Sequence, residues 1–287
     1  MWHGERCLGK IRLLPITPQT NSYGLVRPWE RGRSFELHHR PPSPQLDHIV
    51  DRLWMARWDL RGCNPFRQET LPHPSINLVI EPDSDWIWGV PTKRDIRMLD
   101  GQGWAIGAKF LPGAFTACTG VEASRLTDDR MSVHTAFPHL ADSIALNVHD
   151  VHTATPESIL AAVDTMLTPL ATTEDPRLDL IAEIIASMHD LAPDARVADI
   201  AADQHLAPRT LQRLFQRYVG VSPKWVLKRL RVHQAVEQLS AHIPPDWTEL
   251  ALQLGYYDHA HFIRDFRLVV GRSPARYAAE AALARQP

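Results

Sequence analysis

Five polar residues at helical spacing are the strongest chemical signal in the sequence, because each one is a cation or an amide. They are Arg209, Gln212, Arg213, Gln216 and Arg217. At 100° per residue they share one side of a helix. The other side is apolar and consists of Leu211, Leu214, Phe215 and Tyr218. Arginine pairs with guanine and glutamine with adenine in the major groove, whereas a carboxylate there would repel phosphate. The pattern predicts a helix face that reads double-stranded DNA.

A second segment, about fifty residues later, repeats this arrangement. Asp258 is a candidate N-cap for a helix that begins at His259. Its inward residues are Phe262, Phe266 and Val269, and its outward residues are Ala260, His261, Arg264 and Arg267. The segment predicts a second helix that faces the nucleic acid.

Short helices and one long helix must hold these two faces in place. A helix from Val197 stops at His205-Leu206-Ala207, and Pro208 starts the next; likewise, a helix from Trp247 stops at Gly255. Both pairs are helix-turn-helix candidates. Between them, a long helix is expected from Ser222-Pro223 to about Ser240. Two apolar patches on this helix predict that it packs against both units and sets their separation. Its Lys228 is expected to point outward and to contact phosphate only.

These residues resemble the C-terminal domain of the AraC/XylS family of transcription regulators over about residues 178–280. The resemblance is carried by Val197-Ala198-Asp199-Ile200-Ala201, Leu211-Gln212-Arg213-Leu214-Phe215, Val219-Gly220-Val221-Ser222-Pro223, Leu254-Gly255-Tyr256-Tyr257-Asp258-His259-Ala260-His261-Phe262-Ile263-Arg264-Asp265-Phe266 and Gly271-Arg272-Ser273-Pro274-Ala275-Arg276-Tyr277. It implies two reading helices, which lie in adjacent major grooves. The first places Arg209, Gln212 and Arg213 at bases. The second places His259, Ala260, Ile263 and Arg264 in or near the next groove.

The second helix departs from the family pattern at two positions. Arginine or glutamine is common in the family where this sequence has Ala260 and Ile263. The second unit is therefore expected to read fewer bases and to position the protein more.

The N-terminal half has the pattern of a β-rich domain. Strands are predicted over 75–81, 85–90 and 104–110, with turn signals at Asp100-Gly101 and Gln102-Gly103 and a helix over Leu46–Trp54. The predicted fold class is thus α+β, with a β-rich sandwich or barrel followed by an all-α domain that holds two helix-turn-helix units. The predicted boundaries are 1–153 for the effector-sensing domain, 154–177 for a helical linker and 178–287 for the DNA-binding domain.

The predicted linker opens with a capped amphipathic helix. Thr155 is its expected N-cap, Pro156 takes the first helical position, and Asp175-Pro176 opens the helix that follows. The apolar stripe of the linker helix consists of Ile159, Leu160, Val163, Leu167 and Leu170. Two interpretations are open: the stripe packs on its own N-terminal domain, or it pairs with a second copy in a homodimer, as the family resemblance suggests.

Several residues of the N-terminal half could support other chemistry, although their pattern favours ordinary packing. His38, His39, His48, His73 and Glu69 are types that can bind metal. Their spacing favours surface or hydrogen-bonded histidines, so neither a metal nor a cofactor is expected. The tryptophans are more typical of core packing than of an apolar ligand pocket. A redox pair of Cys63 and Cys118 has less support, and so has a hydrolase site around His73. The resemblance implies an effector, an unknown small molecule; residues 58–62, 66–79 and 107–115 look like a subgroup of these regulators.

Composition agrees with a DNA-binding end attached to an acidic partner domain. The chain has 287 residues, of which 44% are hydrophobic and 22% charged, and its net charge is −2. From His205 onward there are 12 Lys/Arg and 6 Asp/Glu, a net of +6, whereas the preceding 204 residues have a net of −8. No membrane-length apolar run and no signal-peptide core occur, so a cytoplasmic location is expected.

Together, these observations predict a transcription regulator that is not an enzyme. Its expected partners are double-stranded promoter DNA and, if it is an activator, RNA polymerase; no membrane is expected among them. The alternative is an enzyme or small-molecule-binding protein with a fused DNA-binding domain.

Overall fold

The computed structural model describes residues 25–26, 34–140, 151, 153–190, 196–240 and 246–284. The strands are β1 (Glu36–Arg40), β2 (Val50–Asp59), β3 (Phe66–Thr70), β4 (Asn77–Glu81), β5 (Ser84–Trp88), β6 (Asp95–Leu99), β7 (Gln102–Phe110) and β8 (Arg130–Ser132). The α-helices are α1 (Ala114–Thr119), α2 (Val133–Ala136), α3 (Pro156–Leu167), α4 (Arg177–Asp190), α5 (Val197–Asp203), α6 (Pro208–Tyr218), α7 (Pro223–Ser240), α8 (Trp247–Gln253), α9 (His259–Val270) and α10 (Pro274–Ala284). The predicted division into a β-rich part and an all-α part is confirmed.

The strands form one large antiparallel sheet with a strand pair beside it. The order in the large sheet is β1-β2-β7-β4-β5-β8, and β3 pairs with β6. The three predicted strands correspond to β4, β5 and β7. Along β7, Trp104, Ile106, Ala108 and Phe110 alternate with residues of the other face and enter the main core. Glu81 pairs with Ser84, so Pro82-Asp83 form the two-residue turn between β4 and β5.

The predicted helix over Leu46–Trp54 is wrong. Residues 44–49 form turns, and the rest of the segment belongs to β2, which pairs with β7. A register shift between Val50 and Arg52 lets both Val50 and Leu53 face the core. The turn and the bulge leave Leu46, Ile49, Val50 and Leu53 buried. These residues are three or four positions apart, or adjacent, which is also the spacing of the apolar face of a helix.

Helix α3 packs on the sheet of its own chain. Thr155 caps it as predicted, since its side chain accepts a hydrogen bond from the Ser158 N–H. The five residues of the apolar stripe are at most 6% exposed, and α3 contacts β1, β2 and β7. Asp164, also buried, accepts a hydrogen bond from the Ser43 N–H. The interpretation that this stripe pairs with a second copy is therefore wrong, because the sheet already covers it.

The helices beyond residue 176 confirm the predicted pair of helix-turn-helix units and the long helix between them. The main core is continuous from the sheet through α4, α5 and α6 to Leu227 on α7. A second core begins at Val232 on α7 and includes residues of α8, α9 and α10, together with Val26 and Leu71 of the N-terminal domain. The two apolar patches of α7 thus serve two different cores. No helix in the described ranges is long and apolar enough to cross a membrane.

Substitution of Val163 tests the packing of α3. Val163 is 5% exposed, so Val163→Glu would bury a charge without a partner. We expect the free energy of unfolding of the N-terminal domain to fall by more than about 3 kcal/mol. Thr165→Glu, on the exposed side of the same helix, is the control and should change it by less than about 0.5 kcal/mol. Thermal unfolding measures both; a folded Val163→Glu protein with an unchanged melting temperature would contradict the intramolecular packing.

Candidate nucleic-acid interface

Helix α6 presents its polar face to solvent. Pro208 occupies the first turn, where its missing N–H costs no hydrogen bond. Leu211, Phe215 and Tyr218 are buried, which fixes the rotation of the helix. All five residues predicted on its outer face are exposed: Arg209, Gln212, Arg213, Gln216 and Arg217. The structure brings them together on one side, as the sequence predicts.

A groove beside α6 collects most of these side chains. It has a volume of about 460 Å³ and is lined by Val197, Arg209, Gln212, Arg213, Gln216, Ser222, Pro223 and Lys224. The lining includes three cations and no carboxylate. Lys224 was not among the predicted site residues, although its position in the first turn of α7 next to α6 is a signal that sequence reasoning could have used. The groove is electrostatically suited to a polyanion.

Helix α9 begins at the predicted cap. The Asp258 carboxylate accepts a hydrogen bond from the His261 N–H at 2.6 Å. Gly271, with φ of +81°, ends the helix, and its N–H donates to the Arg267 carbonyl. Ala260, Arg264 and Arg267 are exposed, whereas His259, His261 and Ile263 are half-buried. The predicted outer face is thus present, with fewer exposed cations than α6.

Two side chains of α9 are held by contacts that the sequence pattern did not reveal. The His261 ring packs edge-on against Tyr256, with ring centroids 5.2 Å apart, and its Nε2 lies 3.6 Å from Asp265. Asp265 also accepts a hydrogen bond from Lys228 Nζ at 2.9 Å. Lys228 thus joins α7 to α9, while its side chain is still 42% exposed. Its expected contact with phosphate stays a prediction. Tyr257, in the turn before α9, is 92% exposed.

The end of α6 is anchored to the segment that precedes α4. The Tyr218 hydroxyl donates a hydrogen bond to Asp175 Oδ2 at 2.9 Å. Burial raises the pKa of Tyr218, and the hydrogen bond and negative charge of Asp175 raise it further. The phenol therefore stays protonated and keeps donating at neutral pH, which holds the last turn of α6 in place.

Several side chains of the N-terminal domain that could have supported other chemistry take part in hydrogen bonds or packing. The described residues contain no group of three metal-binding side chains. His38 Nε2 lies 3.4 Å from Glu36 Oε2, and His48 Nε2 lies 3.1 Å from the Thr173 carbonyl oxygen. Burial lowers the pKa of His73 well below its ordinary value, so this ring is neutral at pH 7. Cys118 is a free thiol that accepts a hydrogen bond from Thr173.

The expected core packing of the tryptophans is found at Trp104, whereas Trp54, Trp58, Trp86 and Trp88 are half-buried. The indoles of Trp54 and Trp58 lie where Gly107 and Gly103 leave room on the sheet face, since a Cβ at either glycine would come within 2.6 Å of the ring beside it. Trp104 is buried in the main core.

Comparisons with known proteins match the two parts of the chain separately. Residues 38–132 match a family described as a domain of unknown function (DUF6597), and residues 200–280 match a family described as a helix-turn-helix domain. No curated protein matches the chain.

Solved structures of DNA-binding regulators are similar to parts or to most of the chain. An AraC-type transcriptional regulator from Chromobacterium violaceum is 24% identical, covers 35% of this chain and 90% of its own, and has a TM-score of 0.33. The DNA-binding domain of AdpA, solved with a target DNA, is 28% identical, covers 39% of this chain and 97% of its own, and also has a TM-score of 0.33. ToxT from Vibrio cholerae is 11% identical and covers 86% of this chain and 98% of its own, with a TM-score of 0.36. All three TM-scores lie below 0.5.

The cap of α9 can be tested separately from charge. Asp258→Ala removes the acceptor of the His261 N–H, and we expect it to lower the free energy of unfolding by about 0.5–2 kcal/mol. Asp258→Asn keeps an acceptor oxygen and should lose much less. Chemical denaturation compares the two variants; equal losses would show that the negative charge at the helix N-terminus, and not the cap, supplies the stability.

Proposed function

We propose that the protein is a transcription regulator of the AraC type that binds promoter DNA sequence-specifically through α6 and α9. The proposal starts from the match of residues 200–280 to a helix-turn-helix domain. In this proposal the two helices lie in adjacent major grooves. The observation that carries it is the exposed face of α6, where five cations and amides stand together without a carboxylate.

Helix α6 is proposed to supply most of the base recognition. Arg209, Gln212 and Arg213 line the groove with Lys224. Arginine can form two hydrogen bonds with guanine and glutamine two with adenine, which distinguishes base pairs in the major groove. Lys224 has a point charge on a flexible stem and is suited to phosphate, where it would add affinity without sequence preference.

Helix α9 is proposed to contribute more to positioning than to recognition. Its exposed Ala260 offers only an apolar contact, and Ile263 is half-buried. Arg264 and Arg267 remain as exposed cations, and Tyr257 adds a hydroxyl in the turn before the helix. Such contacts fix the register of a protein on the duplex while conveying little sequence information.

The N-terminal domain is proposed to bind a small-molecule effector. The support is the packing of this domain against both helix-turn-helix units through the two cores, because a ligand that alters the domain would alter the units. As a regulator of promoter DNA the protein is expected in the cytoplasm, with RNA polymerase as its partner if it activates transcription. A homodimer would need a surface other than the covered stripe of α3.

Selection of bound fragments from genomic DNA by the full-length protein tests the proposal. We expect a shared sequence motif, with an affinity that falls steeply as salt concentration rises. Fragments with no common motif at any salt concentration would contradict sequence-specific binding.

Replacement of Arg213 tests base recognition by α6. We expect Arg213→Ala to weaken binding to the selected site by about 1–3 kcal/mol and to relax preference at one base position. Lys224→Ala is the matched control in the same groove. It should weaken binding uniformly across sequences and reduce the slope of log K against log salt by about 1. An Arg213→Ala protein that folds normally and keeps the full preference profile would show that this residue does not read a base.

The spacing of protected DNA tests the engagement of both helices. Two helices in successive major-groove faces should protect two tracts about 10 base pairs apart on one side of the duplex. Hydroxyl-radical footprinting of the full-length protein measures this spacing. A single short tract would show that α9 does not dock.

A further inference from the structure

The N-terminal domain holds the C-terminal end of α6 through two hydroxyl groups. Thr116 Oγ1 donates to the Arg217 carbonyl at 3.2 Å, and Thr127 Oγ1 donates to the Gly220 carbonyl at 2.7 Å. Gly220 has φ of +89°, and a Cβ there would lie 3.0 Å from the Ala123 carbonyl oxygen. Glycine therefore permits the close approach of the domain to this helix end.

The same domain holds the C-terminal end of α9 through a cation. Arg94 Nη1 donates to the Val270 carbonyl at 3.1 Å. The guanidinium lies over Gly271, where a Cβ would come within 1.5 Å of Arg94 Nη1. A positive charge is favourable here because the carbonyl groups at a helix C-terminus carry partial negative charge. Arg94 thus supplies the last turn of α9 with a partner from a distant part of the chain.

A buried carboxylate fixes Arg94 and extends the contact to the next helix. The Glu69 side chain is 3% exposed, and its Oε1 lies 3.4 Å from Arg94 Nη1. Its other oxygen accepts a hydrogen bond from Arg272, in the turn between α9 and α10, and Arg272 also binds Glu280 on α10. Burial raises the pKa of Glu280, but hydrogen bonds from Arg276 and Arg272 outweigh this and leave the pKa below its ordinary value. Glu69 therefore ties the N-terminal domain to both ends of the α9–α10 turn.

We propose that Arg94 and Glu69 are positioning residues that set the placement of α9 relative to α6. This inference rests on the proposed function, in which the two helices read adjacent grooves. Among the described residues of the C-terminal domain, the two units have separate cores, and α7 contributes to both. The N-terminal domain contacts both helix ends and adds a second connection, so the pair is held at two places instead of one.

A fixed pair of helices should be sensitive to the spacing of the DNA contacts. One added base pair shifts a site by about 3.4 Å and rotates it by roughly a tenth of a turn. The wild-type protein should lose affinity by about tenfold or more when one base pair is inserted between the two protected tracts. In Arg94→Ala this loss should shrink to less than about threefold, because α9 can then adjust to the new position. A merely destabilised protein would lose affinity for both spacings equally.

Two further variants keep this test decisive. Glu69→Gln removes the charge that holds Arg94 and Arg272 and should also relax the spacing requirement, which matters if Arg94→Ala fails to fold. Arg97→Ala is the matched control, since Arg97 binds Glu81 and stacks on Trp88 within the N-terminal domain. It should keep the wild-type dependence on spacing.

Hydrogen exchange without DNA separates this inference from the proposed function. In Arg94→Ala the amide of Gly271, which donates to the Arg267 carbonyl, should exchange at least about fivefold faster than in wild type. Wild-type protein that selects no DNA would contradict the proposed function alone. Unchanged exchange and an unchanged spacing profile in both Arg94→Ala and Glu69→Gln would overturn the positioning role. So would tighter binding of the original spacing by Arg94→Ala, because the contact would then hold α9 away from its binding position.

Discussion

Continuous burial of apolar side chains between the sheet and the first helix-turn-helix unit is the constraint on which the rest of the structure depends. At the turn before α1, a Cβ on Gly113 would lie 2.9 Å from Ile181 and 3.2 Å from Leu178, so the backbone of the N-terminal domain is in direct contact with α4. Each such leucine or isoleucine contributes about 1.5–3 kcal/mol when fully buried. The first unit and the sheet therefore form one packed body, and the outer face of α6 is oriented by the whole N-terminal domain.

The second helix-turn-helix unit has its own core and a set of polar contacts with the N-terminal domain. Its own core holds α8, α9 and α10 on the later half of α7. Its contacts with the N-terminal domain include Arg94 with the end of α9 and Glu69 with Arg272. Hydrogen bonds weaken steeply with distance and angle. The placement of the second unit relative to the N-terminal domain therefore depends on these polar contacts as well as on Val26 and Leu71 in the shared core.

The elements of the C-terminal domain were predictable because their signals are local. Pro208 and Asp258 mark helix starts, Gly255 marks an end, and the apolar period sets which face of each helix is buried. Sequence periodicity misled at Leu46–Trp54, where a bulge gave strand residues the spacing of a helix. Sequence periodicity did not predict the contact between Glu69 and Arg272, which lie 203 residues apart in the chain. No local pattern encodes a partner so distant. The ion pair of Lys228 was missed for the same reason, since Asp265 belongs to another helix.

Because Arg94 lies over Gly271, substitutions at positions 94 and 271 are expected to be coupled in evolution. A side chain at position 271 would occupy the space of the Arg94 guanidinium, so it would displace Arg94 from the end of α9. Homologues that keep the contact of this arginine with the end of α9 are expected to keep glycine there. Those that shorten residue 94 can admit asparagine, which tolerates the left-handed backbone at this position. Paired substitution at these sites would therefore record, across related genomes, which lineages retained the contact and which released it.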